Sequence, residues 1–266
     1  MDHFFETNKK LWDAKTPIHL ESAFYDVEGF KNGGERLNSI ELQGLGDVSG
    51  KTMLHLQCHF GMDSMCWARR GAEVTAVDFS GKSIEAGRTL SQELNIPVDF
   101  LEKDVYSLPE VLENQYDIVF TSYGAICWLP DLTKWAEIIT DYLQPGGVFF
   151  IAEFHPFMYT LDFDSQEIEY PYFNSGKAFF EVESGTYTNP EADIQREEYF
   201  WIHSLDETIN ALMDAGLQLE KFQEYDYSPY NCFPNMKERE TEKFIFSKYD
   251  LPLPYVFSLK MKKPKA

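Results

Sequence analysis

Positive charge is scarce in this chain of 266 residues: 23 Lys and Arg stand against 44 Asp and Glu, a formal net charge of −21. A surface of that sign repels phosphate backbones and anionic bilayers, so neither nucleic acid nor a membrane is expected as a partner. The short basic tail from Lys260 to Lys265 is too small to reverse this. Cysteine is sparse as well. Cys58, Cys66, Cys127 and Cys232 include no C-x-x-C spacing, so zinc and redox centres lack support, no metal site is expected, and the thiols read as reduced. Long apolar runs are missing: none approaches the roughly 18 residues of a membrane span. The polar start MDHFFETNKK does not resemble a signal peptide. The expectation is a cytoplasmic protein, monomeric or homodimeric.

Apolar residues, by contrast, reach 44% and aromatic ones 16%, with 22 Phe and 15 Tyr, enough for a globular core and for rings around a ligand. The richest stretch is MLHLQCHFGMDSMCWARRGAEVTAVDFS, residues 53 to 80. An apolar run, Met53 to Leu56, enters a turn at Gly61. A helix follows over Met62 to Arg70, with Met62, Met65 and Cys66 on one face and Gly71 as its stop. A second apolar run, Glu73 to Val77, ends on Asp78. Ser80 or Ser83 caps the next helix, which runs to about Leu94.

The alternation continues through strands Val98 to Leu101 and Ile118 to Thr121, helix Leu132 to Leu143, and strand Val148 to Ala152. Strands alternating with helices imply a mostly parallel sheet covered on both faces. Residues 1 to 48 are aromatic-rich and read as a cap. Regularity breaks over 157 to 200, where antiparallel strands are expected at Ala178 to Val182 and Glu197 to Ile202. Ser204 and Glu207 suggest a capping box, with Gly216 as the stop. Leu217 to Tyr225 and Tyr255 to Met261 read as late strands. One domain over 1 to 266 is expected, with 49 to 156 as its ligand-binding core and 201 to 266 completing the sheet.

A dinucleotide cradle requires G-x-G-x-x-G after the first strand, and a P-loop requires G-K-[ST]. Here the turn reads Gln57, Cys58, His59, Phe60, Gly61, with a single glycine. The remaining pattern resembles the class I S-adenosylmethionine-dependent methyltransferases over roughly residues 50 to 155, with later elements in matching order to 262. In that family's first motif His55 stands for the acid, Gln57 and His59 for the first two glycines, while Leu56, Cys58 and Gly61 match. LHLQCHFG looks like a variant subgroup that also carries CWLPDL (Cys127 to Leu132), EFHP (Glu153 to Pro156) and YSPYNCFP (Tyr227 to Pro234).

The resemblance implies a Rossmann-like, doubly wound α/β fold of seven strands with an antiparallel late strand, an N-terminal helical cap and a β-rich insertion. It implies S-adenosyl-L-methionine as cofactor and methyl transfer to a small-molecule acceptor by in-line displacement. Carried over by position, Gln57, Cys58, His59 and Gly61 face the methionine part and Asp78, with Phe79 beside it, holds the ribose. Asp104 and Val105 meet the adenine, and Ser122 and Tyr123 lie beside the sulfonium. Tyr25 covers the adenosine, and His155 is the candidate base, Tyr123 or Trp128 a cavity wall.

Each assignment has a plainer rival. Asp78 can be a helix N-cap, Asp104 and Gly61 turn residues, His55 a satisfied core histidine, and His155 a histidine ordered by Pro156. Replacement of two glycines leaves open a non-catalytic adenosyl-ligand-binding protein. A nicotinamide oxidoreductase is a third reading.

Overall fold

The central strands form where apolar residues run without alternation, the pattern of strands buried on both faces. In the computed structural model, which describes residues 2–249 and 251–265, three helices come first: α1 (Asp2–Leu20), α2 (Val27–Lys31) and α3 (Ser39–Leu45). The alternating core follows as β1 (Thr52–Leu56), α4 (Met62–Arg69), β2 (Glu73–Asp78), α5 (Gly81–Leu94), β3 (Asp99–Glu102), β4 (Tyr116–Thr121), α6 (Leu132–Tyr142) and β5 (Leu143–Phe154). Beyond it lie β6 (Phe179–Ser184), β7 (Gln195–Phe200), α7 (Leu205–Asp214), β8 (Gln218–Tyr225), β9 (Met236–Glu240), β10 (Lys243–Phe246) and β11 (Val256–Lys262).

Seven strands form one sheet in the order β3-β2-β1-β4-β5-β11-β8. The pairs from β3 to β5 are parallel, and β11 runs antiparallel to both its neighbours. This is the expected Rossmann-like arrangement. The chain leaves β1 toward β2 and returns on the other side of β1 as β4. A crevice therefore opens at the carboxyl ends of β1 and β4, the switch point where open α/β sheets bind ligands. Two apolar clusters fill the faces, one around Trp67, Phe120 and Phe150, the other around Trp135, Phe149 and Phe257. Helix α3 lies close on β5 because Gly44 has no side chain: a Cβ there would overlap the Phe150 ring.

The caps explain the helix starts. Ser80 Oγ accepts from Ser83 N–H to begin α5, and Asp131 accepts from Lys134 N–H to begin α6. Strand β5 begins earlier than the sequence suggests, since Leu143 already pairs with Tyr116 before the register shifts at Ile118. The capping box at α7 does not form. Ser204 Oγ donates instead to Asp206 Oδ1, and Glu207 turns to the buried His203 at 3.0 Å. The insertion hairpin pairs β6 with β7 from Phe179↔Phe200 to Ser184↔Gln195. It packs on α1, where the Asn8 amide donates to Tyr199 O (2.7 Å) and accepts from Tyr199 N–H (2.9 Å). Among the described residues no helix is long and apolar enough to cross a membrane.

Candidate functional site

The loop from β1 to α4 turns by left-handed backbone at alternate residues: Gln57 (φ 57°), His59 (φ 53°) and Gly61 (φ 72°). Glycine takes this conformation freely, whereas other L residues lose about 1–2 kcal/mol. Gln57 and His59 thus hold a backbone conformation that glycine adopts without cost. Gln57 Nε2 donates to Ala125 O at 2.7 Å, which ties this loop to the one after β4. Gly61 begins α4, and a Cβ on it would overlap the Phe100 ring. The buried Cys58 takes its N–H to Val77 O, and burial holds its thiol well above the usual range.

Asp78 closes β2 beside that loop. Its Oδ2 accepts from His59 N–H and its Oδ1 from Ser80 N–H, both at 2.9 Å. Burial pushes its carboxyl up to about 7, against the stabilising pull of these amides. Each carboxylate oxygen has a lone pair to spare, so two further donors can be held. Phe79 follows, half-buried. One strand over, Asp104 accepts from Ser107 N–H (3.1 Å) as the cap of the 3₁₀ turn that contains the buried Val105.

At the end of β4, Ser122 Oγ donates to Asp63 Oδ2 (3.2 Å) and lies 3.5 Å from His55 Nε2. His55 Nδ1 is 2.7 Å from Ser64 Oγ, so it sits as a satisfied core histidine, held neutral by burial. Tyr123 packs edge-on against Tyr230 with ring centroids 5.1 Å apart. Behind this loop the fully buried Glu153 accepts from the amides of Gly124, Ala125, Ile126 and Phe154, at 2.5 to 3.1 Å. The EFHP segment therefore contributes a loop anchor.

Helix α1 roofs the crevice. Asp13 Oδ1 accepts from Ser80 Oγ (2.7 Å) and Lys82 N–H (3.1 Å), and Thr16 Oγ1 lies 2.8 Å from Ser83 Oγ. His19 Nδ1 stands 2.9 Å from His59 Nε2, and His59 Nδ1 is 2.9 Å from Ser83 Oγ. Both histidines are held neutral: burial and the Lys15 charge lower His19 to about 3, and burial and His19 lower His59. Trp12 packs edge-on against His59 (5.2 Å) and Trp128 (5.6 Å). Tyr25 lies against His59 and Phe60 and shares a 2.5 Å contact with the Tyr187 hydroxyl.

Several polar atoms around the crevice are buried without a hydrogen-bond partner among the described residues: Trp12 Nε1, His19 Nε2, Gln57 Oε1, Thr121 Oγ1 and Tyr123 Oη. Donors and acceptors are both present, as a zwitterionic amino-acid moiety attached to a nucleoside requires. The residues present thus fit such a ligand.

The structure brings together Gln57, Cys58, His59, Gly61, Asp78, Ser122, Tyr123 and Tyr25 around the switch point. Asp104, Val105 and Phe79 flank it on the β2–β3 side. His155 lies apart. Its Nδ1 accepts from Phe157 N–H (3.0 Å), so the Nε2 proton goes to Glu224 (3.0 Å), and its ring meets Phe257 of the opposite apolar cluster. Sequence reasoning passed over Asp13, Trp12, Glu41, Asp63 and Glu153. Asp63 carried a signal, an acid in the first turn of the helix that follows the turn, and Glu153 opens the EFHP segment; Asp13, Trp12 and Glu41 had none within their own segments.

Residues 54–151 match the methyltransferase domain family. A ubiquinone biosynthesis O-methyltransferase from Photorhabdus laumondii is 32% identical over 136 residues, 49% of this chain and 56% of the relative. The chain thus spans about half the length of the curated relatives it matches. Among solved structures, the DhpI–SAH complex aligns at a TM-score of 0.59 and 14% identity over 100% of both chains. An S-adenosylmethionine-dependent methyltransferase from Clostridium acetobutylicum aligns at 0.57 and 14% identity, covering 97% of this chain and 98% of its own. These distant likenesses bear on the fold, and the domain match bears on the family. Residues 54–151 of the chain thus match a methyltransferase domain, set in a fold shared with solved S-adenosylmethionine-dependent methyltransferases.

Proposed function

We propose that this protein transfers a methyl group from S-adenosyl-L-methionine to a small-molecule acceptor. The observation that carries the reading is Asp78: a buried acid closing β2, its oxygens aligned by two backbone amides and each able to take one more donor. That is the arrangement a ribose diol needs. Gln57, Cys58, His59 and Gly61 hold the methionine part along the left-handed loop, and Asp104 with Val105 borders the base. Ser122 and Tyr123 stand at the reacting end, under Tyr25 and α1.

The cofactor supplies an electrophilic methyl group on a sulfonium. The chain's task is alignment and exclusion of water, which can contribute several kcal/mol of rate enhancement. Gln57, pinned to Ala125 O, and Glu153, pinned to the amides that follow, fix the two loops that converge on the acceptor. The roof of Trp12, His19 and Tyr25 closes the crevice from solvent. The relatives named as O-methyltransferases of ubiquinone biosynthesis support a small-molecule acceptor. The acidic surface argues against nucleic acid, and four free thiols suit a reducing compartment such as the cytoplasm.

Calorimetric titration with S-adenosylhomocysteine tests the reading, with reduced nicotinamide dinucleotide as the control. Saturable one-to-one binding of the first alone is expected. Binding of the nicotinamide compound instead would overturn it.

A further inference from the structure

Next to the crevice lies a second group of buried polar side chains, contributed by α3, α4, the end of β4 and the 227–234 segment. Glu41, in the first turn of α3, is fully buried. Its Oε1 lies 3.4 Å from Asn38 Nδ2, the backbone at Asn38 and Glu41 also stabilises the carboxylate, and Oε2 is buried without a partner in hydrogen-bond geometry among the described residues. The Tyr123 hydroxyl, also buried without a partner in hydrogen-bond geometry among the described residues, faces Glu41: burial first, then the carboxyl, raises its pKa. Asn38 turns its other contact to the Tyr230 hydroxyl at 2.7 Å. Asp63 adds a second carboxyl, reached through Ser122. The nearest cation, Arg36, donates to Phe24 O at 3.1 Å. Two carboxyls and two tyrosine rings thus meet here: Arg36 acts on Asp63, no cation is paired with Glu41 among the described residues, and burial favours the protonated form of Glu41 until a cation arrives to ionise it. Buried charge of one sign is stable only when paired.

We propose that Glu41, Tyr123 and Tyr230 form the acceptor subsite, and that it takes a small primary or secondary amine as its ammonium, with Glu41 as counter-ion and proton acceptor. This rests on the methyl-transfer reading and names its substrate class. The aromatic faces suit a cation, and Tyr123 follows Ser122 at the end of β4, which places the proposed subsite next to the carboxyl end of that strand.

In the proposed step Glu41 takes a proton from the ammonium and frees the nitrogen lone pair. The nitrogen then bonds to the methyl carbon as the carbon–sulfur bond breaks, its electron pair staying on sulfur. The product is an N-methylammonium, and the proton on Glu41 leaves to solvent after release. Burial, helped by the nearby Asp63 charge, lifts the Glu41 carboxyl to about 8. That value belongs to the site without a cation: a bound ammonium lowers it, and burial then favours passage of the proton to Glu41 because the transfer leaves both partners neutral.

The test is a competition by charge. Protein saturated with S-adenosylhomocysteine is titrated calorimetrically with propylamine, cyclohexylamine, benzylamine and phenethylamine, and with the four matching alcohols. At least one amine is expected to bind about tenfold or more tightly than its alcohol, and Glu41→Gln, still folded by its uptake of S-adenosylhomocysteine, should remove that preference. If Glu41→Gln does not fold, Tyr123→Phe decides, with an expected loss of about fivefold in amine affinity. The proposal is overturned if no amine is preferred, or if the variant that folds binds the amine like the parent. Failure of the parent to bind S-adenosylhomocysteine would instead remove the methyl-transfer reading beneath it.

Discussion

Ser80 Oγ donates to Asp13 Oδ1 at 2.7 Å while its own lone pair caps Ser83 N–H, so α1 sets the hydroxyl that starts α5. Asp13 also takes the Lys82 N–H. Asp13→Ala should therefore destabilise the roof by about 1–3 kcal/mol, the cost of two lost hydrogen bonds to a carboxylate. Limited trypsin digestion should cut faster at Lys9, Lys10 and Lys15 while the sheet remains intact. Unchanged cleavage there would show that α1 is held by its apolar contacts alone.

Asp78→Asn keeps the shape of the side chain and removes its charge. The two hydrogen bonds proposed to the ribose would lose charge assistance, and the remaining amide can satisfy only one of the two backbone donors. S-adenosylhomocysteine should bind about 100-fold more weakly, a difference of about 3 kcal/mol. Calorimetric affinity within threefold of the parent would remove the ribose assignment.

Much of this was legible from sequence. The stretch β1–α4–β2–α5 announces itself because parallel central strands are unbroken apolar runs, and because Ser80 and Asp131 are cap residues in cap positions. Asp78 and Gly61 follow from the same spacing. The roof was not legible. His19 meets His59, and Asp13 meets Ser80, only because two distant segments fold together, and polar pairs of that kind leave no periodic trace. The β9–β10 hairpin was missed for a local reason: its turn uses Glu242 at φ 58° where glycine or asparagine would have flagged it. His155 was chosen for its place after β5, but a residue beyond a strand end can turn to either face, and here it turns to Glu224 and Phe257.

Gly61→Ala separates conformational from steric cost. The left-handed φ of 72° disfavours any Cβ, and this one would overlap Phe100. A loss of about 2–4 kcal/mol is expected in urea unfolding. Adding Phe100→Leu should relieve the overlap while leaving the backbone term of about 1–2 kcal/mol. A double variant no more stable than Gly61→Ala alone would place the whole cost in the backbone.

Stability should fall as pH rises from about 6.5 to 8. In the fold Glu41 titrates at about 8, and Asp78 and Glu153 at about 7, all raised chiefly by burial from reference values of 4.5 and 3.8. A raised carboxyl stabilises the folded state below its unfolded pKa, and that contribution is lost as pH climbs through the folded value. His19 and His55 are lowered to about 3 from 6.5, so they act in the opposite sense, but only below about 6.5. Above that pH the carboxyls alone set the slope, on the order of 1 kcal/mol per pH unit. Thermal unfolding followed by circular dichroism at pH 6.5, 7.2 and 8.0 should show a falling Tm, and Glu41→Gln should flatten the curve. A Tm that rises over this range would refute the assignment.

Glu153 gathers the amides of Gly124, Ala125 and Ile126 on one carboxylate. Three consecutive N–H groups can converge on a point only if the turn keeps its residue count. Composition is limited there by the left-handed backbone of Gly124 and the burial of Ala125 and Ile126, and an insertion or deletion would in addition pull at least one donor off the anchor and, through Ala125 O, shift Gln57 as well. The segment after β4 is thus fixed in length by its anchor, and homologues sharing this glutamate should show no gaps there.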